Sequence, residues 1–177
     1  MSETRSQAVA LSNTQIESFC HKHGLEYCLL TLEQLNASAG VGKKFCFIFT
    51  GNNKDEYNNG YHNHWLFKFA NYLFDSYGYQ SQYKLPPNLK SITNHPTRLQ
   101  SFGSDVCGEY CCVFYLFVKT QGAQLDFRNI GEHFSNYYGL GTNREENDKK
   151  ILATYRGQNK QRQSSSTSGG EEVEEKR

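Results

Sequence analysis

The chain of 177 residues carries almost no net charge, no long apolar run and only three prolines. Lys and Arg total 19 against 18 Asp and Glu, a formal net charge of +1. That balance argues against a dedicated nucleic-acid binder, which carries a basic excess, although a local basic patch remains compatible with it. No apolar stretch approaches the roughly eighteen residues that mark a transmembrane helix, so no membrane partner is expected. The opening residues Met1 to Ala10 are polar and of mixed charge, without the apolar centre of a secretion signal. The expected setting is intracellular and reducing. There is no internal repeat. The prolines Pro86, Pro87 and Pro96 break one stretch of chain and leave the rest free to form regular structure.

Against a modest apolar fraction of 37% stand 12 Tyr and 12 Phe. Aromatic rings of that number supply much of a core. The six cysteines are Cys20, Cys28, Cys46, Cys107, Cys111 and Cys112. In a reducing compartment they read as thiols, and the bland role for each is a small buried hydrophobe. Cys20, His21, His23 and Cys28 cluster in sequence, but none of the spacings is a CxxC pair. Cys20 and His21, adjacent on a helix, point about 100° apart, which suits no tetrahedral zinc site. No metal is expected.

Composition divides the chain into a loose N-terminus (1–11), one folded domain (12–156) and a polar, then acidic tail (157–177) expected to be disordered. Ser12 with Gln15 forms a capping box, Leu11 with Ile16 a hydrophobic staple, and Gly24 is placed to close the helix between them. A short helix is expected near Thr31 to Asn36, and Phe45 to Thr50 reads as a buried strand. His64 to Phe69 and Tyr72 to Asp75 read as two strands joined by the turn Ala70-Asn71. From Gly108 to Lys119, Cys111, Phe114, Tyr115 and Val118 recur at helical spacing. Weaker helices are expected over Phe127 to Tyr137 and Asn143 to Tyr155. Helices on both sides of a run of strands indicate an α+β domain.

The hairpin carries the first chemical signal. A two-residue turn pairs Phe69 with Tyr72, and alternation then places His64, Leu66, Leu73 and Asp75 on one face. His64 and Asp75 become diagonal neighbours within side-chain reach. A carboxylate beside an imidazole fixes its tautomer and favours its protonated form. The second signal is Cys107, where a loop containing Gly103 and Ser104 enters the buried helix. A helix N-terminus favours a thiolate, and its unpaired N–H groups, with the Gln100 side chain, suit an oxyanion. Gly108 keeps steric bulk away from that spot. The opposite face of the hairpin carries Trp65, Phe67, Phe69, Tyr72 and Phe74, which reads as core. Nucleophile, base, orienting acid and oxyanion donor follow the logic of thiol proteases.

The motifs His64-Trp65-Leu66 with Phe69, Tyr72-Leu73-Phe74-Asp75-Ser76-Tyr77-Gly78, and Gln100 with Cys107-Gly108, Tyr110-Cys111-Cys112 and Phe114 resemble the adenovirus-type cysteine proteases. These include the enzymes of Maverick/Polinton-type mobile elements. The motifs are more distantly similar to the ubiquitin-like-protein (SUMO) proteases. The resemblance spans about Thr14 to Tyr155. It implies a central mixed sheet flanked by helices, with the nucleophile Cys107 heading a buried helix. It implies a monomeric endopeptidase cleaving after glycine-containing motifs, through catalytic His64, Asp75, Gln100 and Cys107, with Trp65 and Gly108 on the substrate side. The implied protein substrates are viral or mobile-element capsid precursors or, alternatively, ubiquitin-like conjugates. The implied location is a host nucleus or a virion. A catalytically inactive binding relative is the remaining alternative. Some members take an activating peptide or DNA. No residue here requires either, since no cysteine lies between Cys46 and Cys107 to tether a peptide and there is no basic surplus for DNA.

Overall fold

The computed structural model describes residues 11–37, 45–50, 64–70, 72–78, 90–92, 98–121 and 128–175. Helix α1 spans Asn13–Lys22, β1 Cys28–Thr31, α2 Leu32–Asn36, β2 Phe45–Phe49, β3 Trp65–Phe69, β4 Tyr72–Phe74 and β5 Lys90–Ile92. Three helices follow, α3 Cys107–Gln121, α4 Ile130–Tyr138 and α5 Arg144–Glu175. The domain is α+β, and its strands form one mixed sheet in the order β1-β2-β3-β4-β5. The central pairs β2–β3 and β3–β4 are antiparallel, whereas β1–β2 and β4–β5 are parallel.

Local signals explain the first elements. Ser12 accepts the Gln15 N–H at 3.2 Å, and the Gln15 side chain returns to the Ser12 N–H at 2.8 Å. Ile16, Phe19 and Cys20 form the buried face of α1. Gly24 adopts φ +63°, and the bonds Gly24 N–H to His21 O and Leu25 N–H to Cys20 O end the helix. Thr31 and Gln34 form a second capping box on α2. The hairpin register is Phe69 opposite Tyr72 and Phe67 opposite Phe74, as the two-residue turn requires. Ala70 takes the left-handed φ of +53° that such turns demand; Asn71 lies outside the described residues.

The sheet has two unlike faces. Phe45, Phe47, Trp65, Phe67, Phe69 and Phe74 pack with α3 in the main core. Phe74 stacks on Phe114 with centroids 4.2 Å apart, and Tyr115 lies against Phe45 and Phe67. Phe134 of α4 meets Phe74 and Phe114 edge-on. On the other face Cys46, Ile48, Leu66 and Leu73 bury Leu35 of α2.

Four expectations change. Strands β1 and β5 were not legible in the sequence, because each is short and neither alternates in polarity. Helix α4 starts at Ile130, later than the expected Phe127, which lies outside the described residues. Helix α5 continues to Glu175, so the backbone over 157–175 is helical where a disordered tail was expected. Once the packed first turns have met the cost of nucleation, Gln, Lys, Arg and Glu extend a helix readily, whereas the Ser, Thr and Gly run over 164–170 has no such preference. The last change concerns Leu11, placed in the loose N-terminus. It is buried, its carbonyl accepts the Trp65 indole N–H at 2.9 Å, and its side chain lies against Gly108.

A Cβ at position 108 would stand 2.8 Å from the Leu11 Cβ. Gly108→Ala is therefore expected to destabilise the fold by about 1–3 kcal/mol, the usual cost of overpacking. Trp65 is the only tryptophan, so denaturant unfolding followed by its fluorescence measures both the loss and the change at Leu11. An unchanged midpoint would show that the Leu11 contact carries no stability.

Candidate active site

Both polar residues of the hairpin lie just outside its strands. His64 precedes β3, and its main chain is held by Thr50, which donates N–H to His64 O at 3.0 Å and accepts the His64 N–H on Oγ1 at 3.1 Å. Asp75 follows β4 and ends it, because its Oδ1 accepts the Tyr77 N–H at 2.9 Å and its carbonyl accepts the Gly78 N–H. Each strand is thus one residue shorter than expected, but the expected side-chain meeting occurs. His64 Nε2 lies 2.7 Å from Asp75 Oδ1, with both residues buried.

Cys107 is the first residue of α3. Its sulfur accepts the main-chain N–H of Trp65, next in the chain to His64, at 3.3 Å, and a thiolate there bears on the charge of the His64 ring. Since Nε2 is taken by Asp75, Nδ1 is the nitrogen available to the thiol. Burial alone would lower the His64 pKa. The negative charge of a Cys107 thiolate and the Asp75 carboxylate outweigh burial, so the net shift is upward from 6.5. The Tyr77 ring stacks on His64 at 4.5 Å and covers one face of the imidazole. One helical turn on, Cys111 donates its S–H to the Trp65 carbonyl at 3.4 Å. Burial pushes the Cys111 and Cys112 thiols well up, which keeps them protonated and unreactive.

The structure therefore brings His64, Asp75 and Cys107 together. Gln100 joins them indirectly. It is fully buried, and its Nε2 lies 2.9 Å from Ser104 O, 3.0 Å from Ser104 Oγ and 3.4 Å from the Tyr77 hydroxyl. The Trp65 indole packs against Phe49 and donates to the Leu11 carbonyl, and the Trp65 main-chain N–H reaches the Cys107 sulfur. Gly108 is required by Leu11 packing.

Several contributors had no signal in the sequence. Arg144 Nε donates to Arg98 O at 3.0 Å, and Asn147 Nδ2 to Leu99 O at 3.1 Å. Asp148 accepts the Ser101 hydroxyl at 2.5 Å and the Tyr110 hydroxyl at 2.9 Å. One carboxylate of α5 thus ties the Gln100 loop to the first turn of α3. These polar residues lie more than thirty positions from their partners, and their i, i+3, i+4 spacing alone reads as a solvated helix face.

Among the described residues, no group of three or more His, Cys, Asp and Glu is gathered to hold a metal ion. The chain matches no model of a known protein family and no curated protein.

A raised His64 pKa has a definite sign. The stability it contributes is fully present below pH 6.5 and is lost as pH rises through the folded value. The His64 ring is expected to remain protonated at pH 8, seen in its carbon and proton chemical shifts. Cys107→Ala is expected to move the titration to lower pH by removing the largest raising charge. A ring titrating near 6.5 in both proteins would mean that the thiolate is absent.

Proposed function

We propose that the protein is a cysteine endopeptidase. The observation that carries this reading is the buried His64–Asp75 pair next to Trp65, whose main-chain N–H is bonded to the Cys107 sulfur at the start of α3. A thiol beside an imidazole is suited to nucleophilic attack on a carbonyl. A carboxylate on the far nitrogen holds the ring in the required tautomer. The fold proposed is that of the adenovirus-type proteases, supported by the order of the motifs and by a helix headed by cysteine against a mixed sheet.

In the proposed mechanism the resting pair is a Cys107 thiolate and a His64 imidazolium, the thiol proton having passed to Nδ1 while Nε2–H stays on Asp75. The thiolate attacks the carbonyl carbon of the substrate, and the electron pair of the C=O bond moves to oxygen. The Cys107 main-chain N–H and the Gln100 amide stabilise that oxyanion. Collapse expels the amine, which takes its proton from His64, and leaves a thioester on Cys107. A water molecule, losing its proton to His64, hydrolyses the thioester, expels the Cys107 thiolate and restores the thiolate–imidazolium pair. The proposed substrates are proteins cut after glycine-containing motifs, in keeping with the resemblance of the three motifs.

Limited alkylation with chloroacetamide is expected to modify Cys107 before the other five cysteines, and less so in His64→Ala. Cys107→Ala is expected to lower cleavage of peptides ending in Gly-Gly or Gly-X-Gly by about a thousandfold or more. Cys111→Ala is expected to stay within about tenfold of the parent, since it loses one weak S–H bond and a small volume. Equal losses in the Cys107 and Cys111 variants, both folded, would sink the assignment. Cleavage of intact ubiquitin-like precursors but not of peptides would assign the isopeptidase class.

A further inference from the structure

The Gln100 side chain sits in a polar cage made by two separate segments. A carboxamide has an accepting end and a donating end, and partners without a choice decide which end faces where. The Ser104 main-chain carbonyl can only accept. Its 2.9 Å approach therefore fixes the NH2 end toward the 101–104 loop. The oxygen end then faces Ser76, whose hydroxyl donates to Oε1 at 2.5 Å. Ser76 is 1% exposed and directly follows Asp75. Its own carbonyl accepts the Leu99 N–H at 3.0 Å and the Gln100 N–H at 3.1 Å. The residue next to the acid thus holds Gln100 by both main chain and side chain.

We propose that Ser76 is a positioning residue, whose hydroxyl anchors the oxygen end of the Gln100 amide and so holds steady the NH2 end that the Ser104 carbonyl orients. The chemical role of that donor rests on the cysteine endopeptidase reading. An NH2 group has two hydrogens. One is held by the Ser104 carbonyl, and the other faces two hydroxyl acceptors, Ser104 Oγ at 3.0 Å and Tyr77 Oη at 3.4 Å. A charged oxyanion is a stronger acceptor than either hydroxyl. Releasing that hydrogen orphans neither group, because the Ser104 hydroxyl donates to Ser101 O and the Tyr77 hydroxyl to Ser104 O. Without the Ser76 hydroxyl, Oε1 becomes a buried acceptor that has lost its donor, and the amide keeps only its Ser104 anchor. Ser104 still sets which end faces the loop, but the carboxamide is free to tilt, and a tilted N–H is a poorer donor to an oxyanion.

The test is Ser76→Ala in the full chain, which leaves the main-chain contacts of Ser76 in place. Three readouts separate positioning from general damage. Alkylation of Cys107 by chloroacetamide forms no oxyanion, and is expected to stay within about twofold. Hydrolysis of a blocked Gly-Gly coumarin amide passes through an oxyanion. Its kcat is expected to fall about tenfold with KM little changed, equivalent to about 1.4 kcal/mol in the barrier. The side-chain amide signals of Gln100 in nitrogen–proton spectra are expected to shift and to exchange faster with solvent. In a Gln100→Ala background, Ser76→Ala should add almost nothing to the loss. An unchanged kcat, an equal fall in alkylation and hydrolysis, or unmoved Gln100 signals would overturn the proposal. If the parent protein cleaves no peptide, the endopeptidase reading fails. The amide signals then decide by themselves: shifted signals keep the Ser76 hold on Gln100, and unmoved signals remove it.

Discussion

A carboxylate and an imidazole buried together at the end of a hairpin constrain everything around them. Asp75 and His64 are almost sealed from water, and an ionised pair there is tolerated only if each charge is met by donors or acceptors. Asp75 Oδ1 meets that need alone, with two donors, the His64 ring and the Tyr77 main chain, while Oδ2 is buried without a hydrogen-bond partner among the described residues. That meeting depends on register. With Phe69 opposite Tyr72, the residues flanking the two strands converge at one end of the sheet. A slip of one residue would turn Asp75 to the opposite face and bring Phe74 out of the core. The aromatic packing of Phe67 and Phe74 against α3 therefore enforces a polar geometry that it does not touch.

The same packing delivers the thiol. Helix α3 docks through two cysteines one turn apart, with Cys107 accepting from the Trp65 N–H and Cys111 donating to the Trp65 carbonyl. A single residue of β3 is thus gripped on both main-chain polar groups, which sets the axial position of the helix on the sheet. Cys107 is thereby fixed in the first turn of the helix, next to His64. The absence of a side chain at Gly108 lets Leu11 close over that turn. The opening of the described chain is thereby tied to the candidate site through packing.

Local signals were legible and long-range ones were not. The capping box at Ser12, the glycine stop at Gly24, the hairpin register and the buried stripe of α3 each follow from residues within a few positions of one another. The pairing of His64 with Asp75 was legible because a two-residue turn makes a contact eleven positions apart a local matter. Cys107 was legible as the junction between a glycine-containing loop and an apolar helix. Ser76, Tyr77, Asn147 and Asp148 gave no such sign. Their roles depend on where the 98–101 segment passes, and serine, asparagine and aspartate on a turn or helix read first as solvated. The helical backbone beyond residue 157 was hidden for a related reason: composition reports how little a segment buries, while helix continuation depends on the packed turns before it.

The candidate site consequently has two halves held by different physics. His64, Asp75 and Cys107 are placed by sheet register and aromatic packing, which stabilise the fold as a whole. Gln100 is placed by a polar lattice. Ser76 and Ser104 hold its side chain, and Arg144, Asn147 and Asp148 of α5 hold the main chain and Ser101 on either side of it. Contacts of that kind add little net stability, because each exchanges a bond to water for a bond to protein. Their value is directional: they leave the carboxamide one low-energy orientation. A substitution in the lattice is therefore free to alter the donor half while the core and the thiol–imidazole pair stay intact. The two halves meet over residues 75–77, where one short turn carries the acid, the hydroxyl on Gln100 and the ring stacked on His64.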